Sequence, residues 1–313
     1  MTLEIKFALF QLVILVPFFL GSVLKRWIPH LEQLAKRFIL VNLTLLEPPI
    51  LFWSIMGLAM SMELIVLPVY GFAMALTGFV IGWVVMRIAP LETRSAKVYV
   101  ICSSISNQGF TLGGFLCFLF AGEKGLALAG IFLIFFIPFT FLFIFGYAAF
   151  EKQQQMMNGA FVRSFLINPR NLPLLAILLA VGLRMGGVER PDVHFPLDVL
   201  LIAAIAIYYF TLGVNFNVAD LNPFRLEHGL LAVQKFLVMP ALTFLSLFLL
   251  PLSADIELII KIQSFMPVAI YAVISAIIFD LDARKASRIF VINSLLFILL
   301  VFPILFFSRY LVF

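Results

Sequence analysis

Apolar runs of about 20 residues, the length a helix needs to cross the hydrocarbon core of a bilayer, recur along the whole chain. Ten can be marked: residues 7–24, 35–57, 63–88, 95–121, 126–150, 172–188, 197–219, 229–250, 256–279 and 286–313. Short polar connections separate them. The longest, residues 151–171, falls at the centre, and none is long enough to hold a soluble domain. The pattern predicts an all-α polytopic membrane protein with ten transmembrane helices. Lys6 precedes the first run and Lys25, Arg26 and Trp27 follow it, without a small-residue cleavage pattern. That run therefore reads as a retained helix rather than a signal peptide.

Two runs carry breaks near their middles. In the fourth, the stretch from Ser103 to Gly114 holds six polar side chains (Ser103, Ser104, Ser106, Asn107, Gln108, Thr111) and three glycines. Polar side chains at mid-membrane are costly unless they pack inside protein or face water, and glycine weakens a helix. A break near residues 107–109 would free backbone N–H groups at the start of a second half-helix, where partial positive charge suits an anion. In the ninth run Pro267 stands near the centre. Proline donates no backbone bond, so the carbonyl of Gln263 loses its helical partner, and Met266 is steered away from α geometry. Interrupted helices meeting near the midplane are a common way to build a transporter's substrate site. Asn107 is the first candidate contact, because its amide offers both donors and an acceptor. Gln108, Ser104 and Thr111 join it from the fourth run, and Gln263, Ser264, Pro267 and Tyr271 from the ninth.

The ten runs divide five and five around the central connection, and an odd number per half turns the second half upside down relative to the first. Pro138 and Pro303 stand 165 residues apart, each in the Phe-rich closing run of its half. The expected organisation is a first five-helix repeat over 1–150, a cytoplasmic connection over 151–171, and an inverted five-helix repeat over 172–313. The broken fourth and ninth helices would cross each other.

Composition sharpens this picture. The chain is 64% hydrophobic and 12% charged, with a mean hydropathy of +1.15, against about 45–50% and about 25% in soluble domains. Disorder, a fibre and an ordinary soluble enzyme are excluded. Of the 21 Lys and Arg, fourteen fall in the first, third, fifth, seventh and ninth connections. Those connections should face the cytoplasm, so both termini of a multi-pass protein of the cell (plasma or inner) membrane should lie outside. No basic run points to nucleic acid. Cys102 and Cys117 are too few for a disulfide framework or a Cys-based zinc site. His30, His194 and His228 lie in or beside connections without ligand spacing, and neither HExxH nor a Walker A pattern occurs, which leaves an intramembrane enzyme or an ATP-driven pump unsupported.

No cofactor is implied beyond a coupling ion, H⁺ or Na⁺. Glu47 is the carboxylate clearly inside a run, and a titrating intramembrane Glu suits protons. The freed Gln263 carbonyl equally suits Na⁺. Lys261 precedes Pro267 by six residues, ~9 Å along a helix, so it either faces the cavity and attracts a carboxylate or snorkels to the surface. Lys235, near the inner end of the eighth run, poses the same choice. Arg184 reads as an interface residue, and Asn215, Asn217 and Asn293 as structural.

Several stretches together resemble the auxin efflux carrier family of permeases, which includes bacterial malonate-transporter-like members. They are Ser106-Asn107-Gln108-Gly109-Phe110, Glu47-Pro48-Pro49-Ile50-Leu51-Phe52, and Asn168-Pro169 with the run that follows. Met266-Pro267 with Val273 and Asp282, and Ser287, Ser294 and Pro303, complete the set. The resemblance spans nearly the whole chain. Where family members often have a proline after the fourth-helix glycines, this chain has Leu112, Gly113 and Gly114. The family implies a scaffold of helices one, two, six and seven, a mobile core of the others, a small organic anion as substrate, and a homodimer. Bile-acid/sodium symporters share the architecture and remain the alternative, as does a channel or sensor built on the same fold.

Overall fold

The computed structural model describes residues 3–88, 93–149, 171–216 and 226–307. Asn168-Pro169, Asn217, Lys152, Arg163, Arg170, Arg225 and Arg309 lie outside the described residues, as do the side chains of Lys6, Lys36 and Arg94. Every described stretch of regular structure is helical. The helices are α1 Leu3–Leu24, α2 Leu31–Met56, α3 Met62–Ile88, α4 Thr93–Ser104, α5 Phe110–Ala148, α6 Leu172–Met185, α7 Leu197–Asn215, α8 Leu226–Leu247, α9 Ala254–Ser264, α10 Ile270–Ile278 and α11 Ala283–Phe307.

Six of these, α2, α3, α5, α7, α8 and α11, are long and apolar enough to cross a membrane. The chain is thus all-α with the make-up of a multi-pass membrane protein. The Ala8–Leu24 part of α1 and the whole of α6 are apolar but shorter. Helices α4, α9 and α10 are short because the fourth and ninth apolar runs are interrupted, between Ser104 and Phe110 and between Ser264 and Ile270.

Helix α5 is one run of helical assignment but two legs. Gly122 inside it has φ 63°, a left-handed conformation that glycine adopts without a Cβ penalty. Beyond it, a Cβ at Gly125 would collide with the carbonyl oxygen of Cys117. Along a straight helix those residues would stand about 12 Å apart. The chain therefore folds back on itself at Gly122, between the fourth and fifth apolar runs.

Prolines explain part of a second irregularity. Five wide turns with i→i+5 bonding occur among the described residues. Two, Phe110–Gly114 and Thr140–Ile144 in α5, have no proline following them, and the other three lie at Asn42–Leu46 in α2, Gln234–Val238 in α8 and Phe297–Val301 in α11. Each of these three contains the residue four before a proline: Thr44 before Pro48, Phe236 before Pro240 and Leu299 before Pro303. A proline ring clashes with that carbonyl and leaves it without a donor, and widening the helix relieves the clash.

Two packing groups result. In one, α1 lies along α7, and α2 lies against α6 and α7. In the other, α3 packs on α4 and α5, α9 on α5 and α8, and α11 on α4, α8 and α10. The groups meet where α2 and α6 touch α5, and where Phe10 of α1 stacks on Phe115 (centroids 5.5 Å apart) and abuts Phe302 (4.1 Å).

Polar contacts gather at two ends of the bundle. At one end Arg184 Nε donates to Leu58 O (3.0 Å), Arg190 pairs with Glu123, Lys124 pairs with Asp255, and the Ser253 N–H donates to Glu63. At the other, Lys285 pairs with Glu227 (2.9 Å), Ser95 donates to Asp282 (3.3 Å), and Lys25 donates to the carbonyl of Phe216.

Candidate functional site

The two interruptions meet. After α4 ends at Ser104 the chain is extended, and so is the chain after Pro267, with Ala269 at φ −78°, ψ 149°. Ser106 and Val268 form an isolated antiparallel bridge. Asn107 N donates to Pro267 O at 2.6 Å, and Ala269 N donates to Ile105 O at 3.2 Å. Backbone groups deprived of helical partners inside a membrane must find others, and here the two broken segments supply them to each other.

The remaining polar groups are settled by side chains. Gln108 Nε2 donates to Gln263 O at 3.1 Å, the carbonyl that Pro267 deprives of its helical donor, and Met266 N reaches the same oxygen at 3.4 Å. Val268 N donates to Asn293 Oδ1 of α11 at 3.2 Å. Gln263 Nε2 points at Cys117 Sγ (3.6 Å), and its Oε1 lies directly over Gly113, where a Cβ would displace it. Gln108 Oε1 and Gln263 Oε1 are buried acceptors without a donor among the described residues.

Asn107 is different. Its Oδ1 accepts from Thr111 Oγ1 at 2.6 Å, while its Nδ2 donates to no group among the described residues. Asn107, Gly109 and Thr111 are half-buried, and a Cβ at Gly109 would meet no atom within 4 Å, so open space borders this turn. The first N–H groups of α5 precede any intrahelical acceptor; in that turn only Gly113 and Gly114 reach back, to the carbonyls of Asn107 (3.1 Å) and Gly109 (3.0 Å). A helix start and an unused amide N–H₂ beside open space form a donor-rich lining for an anionic group.

The crossing thus brings together Asn107, Gln108, Thr111, Gln263 and Pro267. The other candidates bond elsewhere. Ser104 Oγ donates to Ala75 O of α3 (2.8 Å), Ser264 Oγ to Lys261 O (2.7 Å), and the Tyr271 ring packs edge-on to Phe141. Glu47 is buried on α2 and accepts from the Tyr208 hydroxyl of α7 at 2.8 Å, its partner among the described residues. Lys261 pairs with Glu257 at 2.7 Å and sits 5.6 Å from the ring centre of Phe244.

Lys235 is the cation at the crossing. Its Nζ, in a side chain only 1% exposed, donates to Ser103 O at 2.6 Å and to Ser106 Oγ at 2.8 Å. The wide turn before Pro240 also turns Gln234 inward, and Ser103 Oγ lies 2.6 Å from Gln234 Oε1 and 2.7 Å from Gly78 O. A sequence signal for this exists: Leu231, Ala232, Val238 and Met239 are the helical neighbours of Lys235, so no acid on its own helix can pair with it.

A cavity of about 250 Å³ opens elsewhere, at the bundle end where Arg190 meets Glu123, lined by Ser54, Gly57, Leu58, Ala59, Lys124 and that pair. None of the crossing residues line it. Among the described residues, no cluster of three His, Cys, Asp or Glu is placed to hold a metal. No protein-family model matches the chain, and no curated protein matches it.

Proposed function

We propose that the chain is a secondary transporter that moves a small organic anion across the cell membrane by alternating access. In this reading it has ten transmembrane helices in two inverted repeats, built as the auxin efflux carrier family is. The observation that carries the reading is the backbone pairing of two interrupted helices, Asn107 N to Pro267 O and Ala269 N to Ile105 O. Transporter folds put their substrate at such a place, with half-helix N-termini directed at anionic groups.

Further support comes from the ends of the bundle. Contacts at one end join the second, fourth, sixth and eighth connections (Leu58, Glu123, Lys124, Arg190, Asp255). At the other, Glu227 and Lys285 join the seventh and ninth, Ser95 at the start of the fourth run reaches Asp282, and Lys25 of the first connection reaches Phe216 near the end of the seventh run. A chain that crosses the membrane at every apolar run produces this sorting. The basic connections then face the cytoplasm, and both termini lie outside. The group of α1, α2, α6 and α7 corresponds to the scaffold and the other group to the mobile core, which rock against each other. A homodimer through the scaffold accords with the family resemblance.

The test is substrate counterflow in proteoliposomes holding the purified protein, with malonate as the first of a panel of small carboxylates. A carrier exchanges internal for external carboxylate; a channel or sensor does not. No exchange across the panel would overturn the reading.

Protons are the coupling ion in this reading, carried by Glu47. Glu47→Gln keeps the side chain's size and an acceptor for the Tyr208 hydroxyl but removes the titrating proton. Counterflow and uptake measured from acidic to neutral pH should lose their pH dependence in this variant. A profile matching wild type would remove Glu47 from the coupling path. The sodium-coupled alternative draws on Gln108 Oε1 and Gln263 Oε1, which have no donor among the described residues.

A further inference from the structure

Among the described residues Lys235 has no counter-charge, and none of their ion pairs includes it. Its ammonium is held by neutral oxygens, the carbonyl of Ser103 and the hydroxyl of Ser106. These oxygens sit at the C-terminal end of α4 and in the extended segment just after it, where unsatisfied carbonyls give the helix end a partial negative charge. Intramembrane ionisable side chains are rare and mark function. In transporters with broken helices, C-terminal half-helix ends and unwound carbonyls are the ligands of the coupling cation.

We propose that the Lys235 ammonium is a tethered cation occupying the position a coupling metal ion would take at the end of α4, so that the crossing keeps its shape without Na⁺. The proposal rests on the transporter reading for its meaning, but its geometry stands by itself. The wide turn before Pro240 delivers the ammonium from α8, a helix that is neither of the two crossing segments. Three features of a bound cation are met: oxygen-only partners, a helix C-terminus and near-complete burial. The competing arrangement is a Na⁺ held by the Gln108 and Gln263 side-chain oxygens.

The test is thermal unfolding of purified protein in detergent, in choline chloride, sodium chloride and methylammonium chloride. Wild type should have the same midpoint in choline and in sodium. Lys235→Ala should unfold several degrees lower in choline and recover part of the loss in methylammonium or sodium, because a small cation refills the vacated oxygens. A wild-type midpoint that climbs with sodium would overturn the proposal in favour of the glutamine-held ion. A Lys235→Ala protein indifferent to both cations would overturn it as well, since a lysine that only packs has no cation to replace. Where Lys235→Ala is not recovered folded, the wild-type comparison decides. Failure to exchange any carboxylate would sink the carrier reading and leave this cation result untouched.

Discussion

Replacing Asn107 with Ala should lower carboxylate counterflow by about 10- to 150-fold, the loss of one hydrogen bond to a charged group at ~1.5–3 kcal/mol. The unfolding midpoint should barely change. The reason for the split lies in which atoms of Asn107 hold the fold. Its backbone N–H and carbonyl bind Pro267 and Gly113, and alanine keeps both. The side chain contributes only the half-buried bond from Thr111, and its Nδ2 remains for a ligand. Asn107→Asp should transport still less, because a carboxylate beside the start of α5 repels an anion. Counterflow by Asn107→Ala equal to wild type, in protein of normal stability, would remove Asn107 from the site.

Gly113→Ala should destabilise the protein by about 1–3 kcal/mol, the usual range for forcing a methyl group into a packed interior. Its Cβ would overlap Gln263 Oε1 and lie 2.9 Å from the Gln108 carbonyl oxygen. Both residues belong to the crossing, so carboxylate exchange should fall with stability. Gln263→Ala removes the first obstacle. In a double-mutant cycle of unfolding midpoints, the pair should cost less than the sum of its members. Strict additivity would mean that Gln263 is not seated over Gly113.

Much of this was legible from residue types alone. Proline chemistry named the Gln263 carbonyl as the group that would lose its partner, and the run of polar residues around Asn107 located the other break. The identity of the replacement donor was not legible. Gln108 reaches Gln263 from a segment 155 positions away, and only the crossing geometry sets that distance. Ser104 shows the same limit from the other direction. It stands in the polar cluster, yet at the end of α4 its hydroxyl turns toward Ala75, and a helix face is decided by its neighbours. Lys235 was ambiguous as a sequence feature because its partners are a backbone carbonyl and a serine hydroxyl, which leave no charge pattern to read. The available signs were the apolar neighbours Leu231, Ala232, Val238 and Met239, which offer it no acid, and the Pro240 that follows it. The count of membrane-length helices is six among the described residues, where ten apolar runs stand in the sequence. Interruption shortens the pieces of the fourth and ninth runs, and the second half of the fourth is joined to the fifth at Gly122. The described apolar helices of the first and sixth runs, Ala8–Leu24 and Leu172–Met185, are shorter than the other six.

The two backbone bonds between the broken segments have a mechanical consequence. They tie the fourth and ninth apolar runs together at the candidate site, and pulling those runs apart would leave these backbone groups without partners. On the carrier reading, exposure to either face must come from slippage along the boundary between the two packing groups. Arg190, stacked 5.2 Å from the ring centre of Trp53 on α2, pairs across that boundary with Glu123 at the tip of α5. On the carrier reading this half-exposed pair would have to open and reclose as the two groups slip.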